Sequence, residues 1–273
     1  MTGVRYGFKV KDLIATARTT EEAVREIQEW QRSARYPKLS AEQIGLFLVS
    51  CGNDRDYAKR TIETYFEIRM NAPEIFYGRH LKNESLIRMG EVISLAVMPK
   101  RYNGSAIIVS SVIDPNYRKY DFQRYAQLAT MVLDSLLFYN PPSSVTTVFD
   151  FQGYSFMHLT KMGLRAIRVF SDYGQKGQPL QSGNTYLLNA GSIAYAGINL
   201  FRPFIKSDVM EKIHLFKTSD GGFGDLHEFV PLEYLPMEYG GELESLRFYN
   251  EQTLVRLRNL QPFFEAIEQQ VYG

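Results

Sequence analysis

The sequence predicts an α/β fold, with a small helical bundle at its N-terminal side followed by a mixed β-sheet flanked by helices. Three observations carry this expectation. Residues 1–80 hold helix start signals and helical spacing only. From Leu86 onward, β-branched runs alternate with helical stretches in the order ββαβαβαβ. Val145–Phe151 is a near-continuous apolar run, as in a strand covered on both faces.

Each element has a local reason. Thr19-x-x-Glu22 is a capping box, followed by Ala23, Val24, Ile27 and Trp30 at helical spacing. Ser40-x-x-Gln43 starts a second helix. Asn53-Asp54 starts a third, which runs to Ala72-Pro73. Short helices with short connections predict a bundle. Val92–Val97 and Ala106–Val112 are neighbouring strands joined through Lys100–Gly104. Tyr120–Tyr139 is helical, with Phe122, Ala126, Ala129, Leu133 and Leu136 on one stripe, and Pro141-Pro142 ends it. Gly153 then leads into a helix whose buried face is Phe156, Leu159, Gly163, Ile167 and Phe170. A strand is expected at Thr185–Asn189, a helix from about Ser192 to Phe201, and a short helix then strand over Ser207–Phe216. Glu242–Val271 is helical. The expected division is 1–85 for the helical part, 86–245 for the α/β part and 246–273 for a C-terminal helical extension.

Composition excludes several function classes. The 273 residues carry 31 basic and 30 acidic side chains, a net charge of +1, which leaves no electrostatic footprint for nucleic acid. One cysteine, Cys51, excludes a disulfide framework and Cys-rich zinc sites. Met1–Asp12 has no apolar stretch of signal length, and no run approaches the ~20 apolar residues of a membrane span. A cytoplasmic protein, peripheral at membranes only transiently, is expected. Aromatic residues reach 14%, with 18 Phe and 18 Tyr against one Trp. Two readings stay open: aromatic core packing, or a cavity lined by rings.

No catalytic constellation emerges. His80, His158, His214 and His227 have no HxxxH spacing, so no metal site is expected. His158 and His214 read as packed side chains. Gly221-Gly222-Phe223-Gly224 is followed by Asp225, which is unfavourable beside a phosphate, so it reads as a flexible turn. Asp150 sits inside an apolar strand and needs hydrogen-bond partners there. A catalytic role for it has no evident second residue. Ile193–Ile205 is apolar nearly all round until Arg202-Pro203 end it. Such a helix is either buried in a core or a lid, apolar inside against a ligand and outside against a bilayer.

Four stretches then bear on that choice: Val148-Phe149-Asp150-Phe151-Gln152-Gly153-Tyr154, Tyr186-Leu187-Leu188-Asn189, Phe201-Arg202-Pro203-Phe204-Ile205 with Glu211-Lys212-Ile213-His214, and Leu235-Pro236-Met237-Glu238-Tyr239-Gly240-Gly241. Their order and spacing resemble the CRAL-TRIO lipid-transfer family over about Ser40 to Glu242. The resemblance implies a closed apolar pocket for one lipid-like ligand, such as a tocopherol, retinoid or carotenoid, transferred between membranes without catalysis or cofactor. It implies that Ala126, Thr130 and Leu133 line one wall, that Val145 and Phe149 come from the floor, and that Phe170, Tyr173, Leu180 and Thr185 come from the far side. It makes Ile193, Ala194, Gly197, Ile198, Phe201, Phe204 and Ile205 the mobile lid. Some relatives hold phosphoinositides in a basic patch beside the lid. The matching positions here are Gln181, Gly183 and Asp208, and only Lys212 is basic for contact with an anionic lipid. Lys9, Lys11, Lys100 and Arg101 offer generic attraction. The alternative is a phosphoinositide- or protein-binding recruitment module without cargo.

Overall fold

A computed structural model describes residues 3–217, 223 and 225–273. Six helices come first: α1 (Val10–Ala15), α2 (Glu21–Trp30), α3 (Ala41–Ser50), α4 (Arg55–Asn71), α5 (Pro73–Phe76) and α6 (Glu84–Val92). The capping box at Ser40 and Gln43 closes as expected, with Gln43 N donating to Ser40 Oγ at 3.2 Å and Ser40 N to Gln43 Oε1 at 3.0 Å. The start of α2 lies one residue later than the sequence pattern suggests. Thr20, not Thr19, accepts from Ala23 N, and Thr19 is buried.

The sheet follows, as β1 (Ile93–Val97), β2 (Ser105–Val112), β3 (Ser144–Asp150), β4 (Gln181–Leu188) and β5 (Ile213–Leu215), in spatial order β1-β2-β3-β4-β5. The first pair is antiparallel and the others are parallel. Parallel neighbours in sequential order need crossovers of one hand, which puts the connecting helices on one face. These are α7 (Phe122–Leu136), then α8 (Phe156–Leu159) and α9 (Leu164–Asp172), then α10 (Ser192–Phe201) and α11 (Ser207–Met210). The opposite face is covered from the C-terminal side by α12 (Leu226–Phe229) and the Leu235–Tyr249 stretch, which bury Val148, Tyr186 and Leu188. Two further helices, α13 (Leu246–Asn259) and α14 (Gln261–Tyr272), close the chain. α13 protects the free edge of β1: Leu95 N donates to Asn250 Oδ1 and Val97 N to Thr253 Oγ1, which removes unpaired donors from an edge strand.

Two expectations need correction. The helix expected after Gly153 is two helices, α8 and α9. Ser155 and His158 form a capping box that starts α8, with Ser155 N donating to His158 Nδ1 at 3.0 Å; α8 ends at Leu159, and Gly163 is extended at the start of α9. Phe156 is therefore 55% exposed instead of buried. The strand expected from Thr185 begins four residues earlier, at Gln181. Gly221, Gly222 and Gly224 of the glycine-rich turn lie outside the described residues.

The largest cluster of buried residues runs from Val4 to Val271 and joins the early helices, α7 and α14. It contains charge. Arg69 Nη2 donates to Asp134 Oδ2 at 2.8 Å and Arg79 Nη1 to the same oxygen at 2.6 Å, with all three side chains buried. Arg69 also reaches the Tyr173 hydroxyl. Burial pushes the Asp134 carboxyl up, yet the Arg69 and Arg79 charges outweigh it and hold its pKa below the usual value. One carboxylate faces two guanidiniums, and aromatic faces take up the excess. Arg69 lies 4.4 Å from the Tyr65 ring centre and 4.9 Å from that of Phe76, and Arg79 lies 5.5 Å from that of Phe264.

Candidate functional site

On the helix-covered face of the sheet, the packing opens into a cavity of about 290 Å³. Its floor is built by alternation. Val145, Thr147 and Phe149 of β3 face it, and so do Gly183, Thr185 and Leu187 of β4, because every second strand residue points to the same side. Phe122, Tyr125 and Leu133 of α7 form one wall, and Phe170, Ser171 and Tyr173 form another. Gly197, Ile198 and Phe201 of α10, with Ile205 beyond it, form the roof. Tyr120, Phe151 and Tyr154 close one end. Phe122 meets Phe170 and Phe201 edge-to-face, at 6.0 and 5.7 Å between ring centres. The aromatic excess thus serves both purposes, a solid core around Tyr65, Phe66 and Phe76 and a ring-lined hollow.

Not every residue named from the resemblance lines this cavity. Leu133, Val145, Phe149, Phe170, Tyr173 and Thr185 do, and so do Gly197, Ile198, Phe201 and Ile205. Ala126 and Thr130 do not. They lie one position round α7 from the wall stripe of Phe122, Tyr125 and Leu133, fully buried, and Thr130 Oγ1 bonds back to Gln127 O. Leu180 precedes β4 and packs into the large core, where Gln181 Nε2 donates to Ser50 O of α3. Ala194 packs on Leu187 and Ala190. Ile193 is half-buried away from the hollow, and Phe204 covers an outer groove with Ile68 and Val169. The residues missed include Thr147, Gly183 and Leu187, which strand alternation from Phe149 and Thr185 would have nominated. Tyr120 and Tyr154 carried no positional signal.

The roof is fastened at both ends. At its start Asn189 adopts φ 50°, and its side-chain amide donates to Asp150 Oδ1 at 2.7 Å. Asp150 also accepts from Gln152 N and, at 3.0 Å, from Tyr239 Oη. Three donors hold its two oxygens at the sheet's end, so the buried carboxylate is satisfied as a structural node. Burial, and then the Asp150 charge, raise the Tyr239 pKa and keep its hydroxyl a donor. The turn after Tyr239 explains its glycines. Gly240 has φ 73°, and a Cβ on Gly241 would meet Leu235 O at 1.9 Å. At the roof's far end one side chain makes a clasp: Gln175 Nε2 donates to Phe204 O at 3.0 Å, and Gln175 Oε1 accepts from Lys206 N at 2.7 Å.

The remaining polar candidates have structural surroundings. His158 is buried against Tyr117, Tyr120 and Tyr154, and burial lowers its pKa. His214 stacks on Tyr186. Lys212 Nζ donates to Ser182 O at 3.1 Å. Gly183 lies in the cavity floor, and Asp208 is exposed on α11. Among the described residues, Asp225, His227 and Glu228, all exposed at the start of α12, bring ligand atoms within 4.8 Å of one another. No helix among the described residues is long and apolar enough to cross a membrane.

Comparison with known proteins agrees with this architecture. The CRAL/TRIO domain family matches residues 95–241. The chain is similar to the SEC14 cytosolic factor of Kluyveromyces lactis, 32% identical over 98 residues, which is 36% of this chain and 32% of that protein. It is also similar to rat clavesin-1, 25% identical over 96 residues, 35% of this chain and 26% of that protein. The match thus spans about a third or less of the length of these relatives. In three dimensions it is similar to Sfh5, with a TM-score of 0.58 at 12% identity, covering 95% of this chain and 96% of that one, which shows the shared fold. The family match covers more than half of the sequence and takes in the cavity floor, the roof and the Asp150–Tyr239 node: the chain belongs to the CRAL/TRIO domain family.

Proposed function

We propose that this protein holds one lipophilic molecule in the cavity over β3 and β4 and delivers it to membranes by displacing α10. The observation that carries this reading is the hollow itself. A solid interior would fill the space under Gly197 and Phe201, since protein cores pack to crystal density. Ring and acyl-chain compounds of the tocopherol, retinoid, carotenoid or fatty-acyl classes fit an apolar lining of this kind. The cavity volume stands at the lower end of the ~300–1,000 Å³ of small-molecule pockets. That favours a single chain or fused-ring ligand over a lipid with two acyl chains.

The energetics require a membrane step. Removing roughly 400 Å² of ligand surface from water gives on the order of 10 kcal/mol gross, reduced by ordering and rigid-body costs. Departure through water forfeits the same amount, so exchange is fastest where the cargo passes directly into a bilayer. Phe156, Met157 and Leu164 of α8 and α9 are exposed, as is Tyr195 of α10 itself, and α9 packs against α10. Their position supports contact with lipid there. Among the described residues, no carboxylate, histidine or lysine lines the cavity to serve a lipid-modifying reaction.

Native mass spectrometry of the purified chain, followed by solvent extraction of whatever is bound, tests the reading. One lipid molecule per chain is the expected result. Protein that is always empty, and that takes up none of a panel of offered tocopherols, retinoids, fatty acids and phospholipids, would sink it. Vesicle-to-vesicle transfer separates a carrier from a recruitment module, which would bind membranes without accelerating transfer.

A further inference from the structure

The β1–β2 turn holds a second feature that the cavity does not use. Arg101 of that turn, Arg18 after α1 and Arg256 of α13 come from three distant parts of the chain and meet beside residues 139–143. Arg18 Nη1 donates to Pro141 O at 2.7 Å and Nη2 to Pro142 O at 3.2 Å. Arg101 reaches Asn140 O. Ser143 N donates to Gly104 O at 3.0 Å, which holds this stretch against the β1–β2 turn. The register of α13 along β1, with Asn250 on Leu95 and Thr253 on Val97, carries Arg256 on to the level of Lys100 and Arg101.

The charges are uncompensated. Among the described residues none of Arg18, Lys100, Arg101 or Arg256 forms an ion pair. Burial, and then the positive charges of Arg18 and Arg256, lower the Arg101 pKa, so the guanidiniums are close enough to repel. A structural role accounts for part of the arrangement. Arg18 and Arg101 satisfy carbonyls of the turn, and Arg256 sits in the last turn of α13, where a cation is favoured. That role uses few of the five N–H donors on each guanidinium, and it leaves the mutual repulsion unrelieved. Phosphate relieves it, with oxygens matched to the guanidinium fork. Tyr139, 66% exposed, stands in the same stretch as an amphipathic ring suited to the headgroup level of a bilayer.

We propose that Arg18, Lys100, Arg101 and Arg256, with Tyr139, form a contact surface for the phosphates of anionic phospholipids in a bilayer. Its location sets it apart from the roof. Sheet order places the β1–β2 turn at one edge, while α10 and α11 connect β4 to β5 at the other. The chain then has a membrane-attracting surface distinct from the cavity entrance.

Vesicle co-sedimentation of the full chain tests it, with phosphatidylcholine alone and with added phosphatidylserine. Phosphatidylserine is expected to raise binding, and Arg256→Glu to lower that binding about tenfold, since each basic residue near an anionic surface contributes severalfold. Arg256 makes no hydrogen bond to the turn, so this variant keeps the fold, which its melting curve verifies. Arg247→Glu is the charge-matched control. Arg247 is exposed on the same helix, about 13 Å along the axis, and its replacement is expected to leave binding nearly unchanged. Equal loss in both variants, or no preference for phosphatidylserine in the parent chain, overturns the proposal. So does abolition of vesicle binding by inorganic phosphate at constant ionic strength, which would mark a site for soluble phosphate.

Discussion

One face of α7 buries charge, and the neighbouring face borders empty space. Asp134 anchors Arg69 and Arg79 on the side of the N-terminal and C-terminal helices, whereas Phe122, Tyr125 and Leu133 look into the cavity. Tyr173 belongs to both regions: its ring lines the cavity and its hydroxyl meets Arg69. The difference teaches how a fold keeps a hollow open. Collapse into the cavity is resisted when the wall behind it is fixed by directional, desolvated contacts that have no alternative partners. Among the described residues, α10 takes part in no such buried ion pair; side-chain hydrogen bonds hold it at its two ends.

The largest expected effects lie on the charged side. Asp134→Asn removes the only carboxylate shown between two buried guanidiniums and should cost about 3–5 kcal/mol in urea unfolding. The pH dependence has a definite sign. The folded Asp134 pKa is depressed below 3.8, so its contribution is complete above that value and is lost as pH falls through the folded pKa. Parent and variant should therefore converge in stability as the solution is acidified. A constant gap down to the acid transition would show that the cluster's stability does not depend on ionised Asp134.

Truncation of rings sharpens the same contrast. Phe66 is fully buried in the solid region, and Phe66→Ala should cost about 3–5 kcal/mol. Phe149 already borders the hollow and has less contact to lose, so Phe149→Ala should cost roughly half as much. Equal losses by thermal or urea unfolding would mean that the two interiors are equally packed.

Next in size is the clasp. Gln175→Ala removes both hydrogen bonds that hold the far end of the roof, about 1–2 kcal/mol if each has the usual net worth. Release of a preloaded fluorescent lipid into vesicles should accelerate by about tenfold, at 1.4 kcal/mol per decade, with a smaller fall in melting temperature. Unchanged release with intact loading would show that opening does not begin at Phe204–Lys206.

Much of this division was legible in the residues, and some was not. Element order from Leu86 to Phe216 follows from β-branched runs and helical stripes, and the helix expected from about Ser192 to Phe201 is α10, because Arg202-Pro203 end its apolar run. The hollow was read only through resemblance, since composition alone left aromatic packing and a ring-lined cavity as equals. Ala126 and Thr130 were misplaced because a helix stripe gives a face to within about one residue, and a cavity wall occupies a narrower angle than a core face. The Arg69–Asp134–Arg79 cluster left no local trace at all. Its members are 10 and 55 residues apart, and nothing near any of them marks it as buried. Asp150 is the intermediate case: its burial in an apolar strand required partners, but Asn189 and Tyr239 are named only by the fold.

The smallest effect discriminates most finely. A Cβ at Gly197 would lie 3.8–3.9 Å from Phe151 and Leu159, ordinary contact distance, and Gly in a helix costs about 0.5–1 kcal/mol relative to Ala. Gly197→Ala should therefore stabilise the apo protein by that amount, visible as a small rise in melting temperature, while removing little cavity volume. Gly197→Leu adds a branched chain at the same position, pointing into the space beneath the roof. In a solid core such an insertion costs about 1–3 kcal/mol through strain, whereas over a hollow it finds room. The expected outcome is near-parental stability with loss of lipid uptake, read by melting and by native mass spectrometry on the same sample. Strong destabilisation by leucine, together with unimpaired uptake, would place the cargo elsewhere and leave α10 a buried core helix.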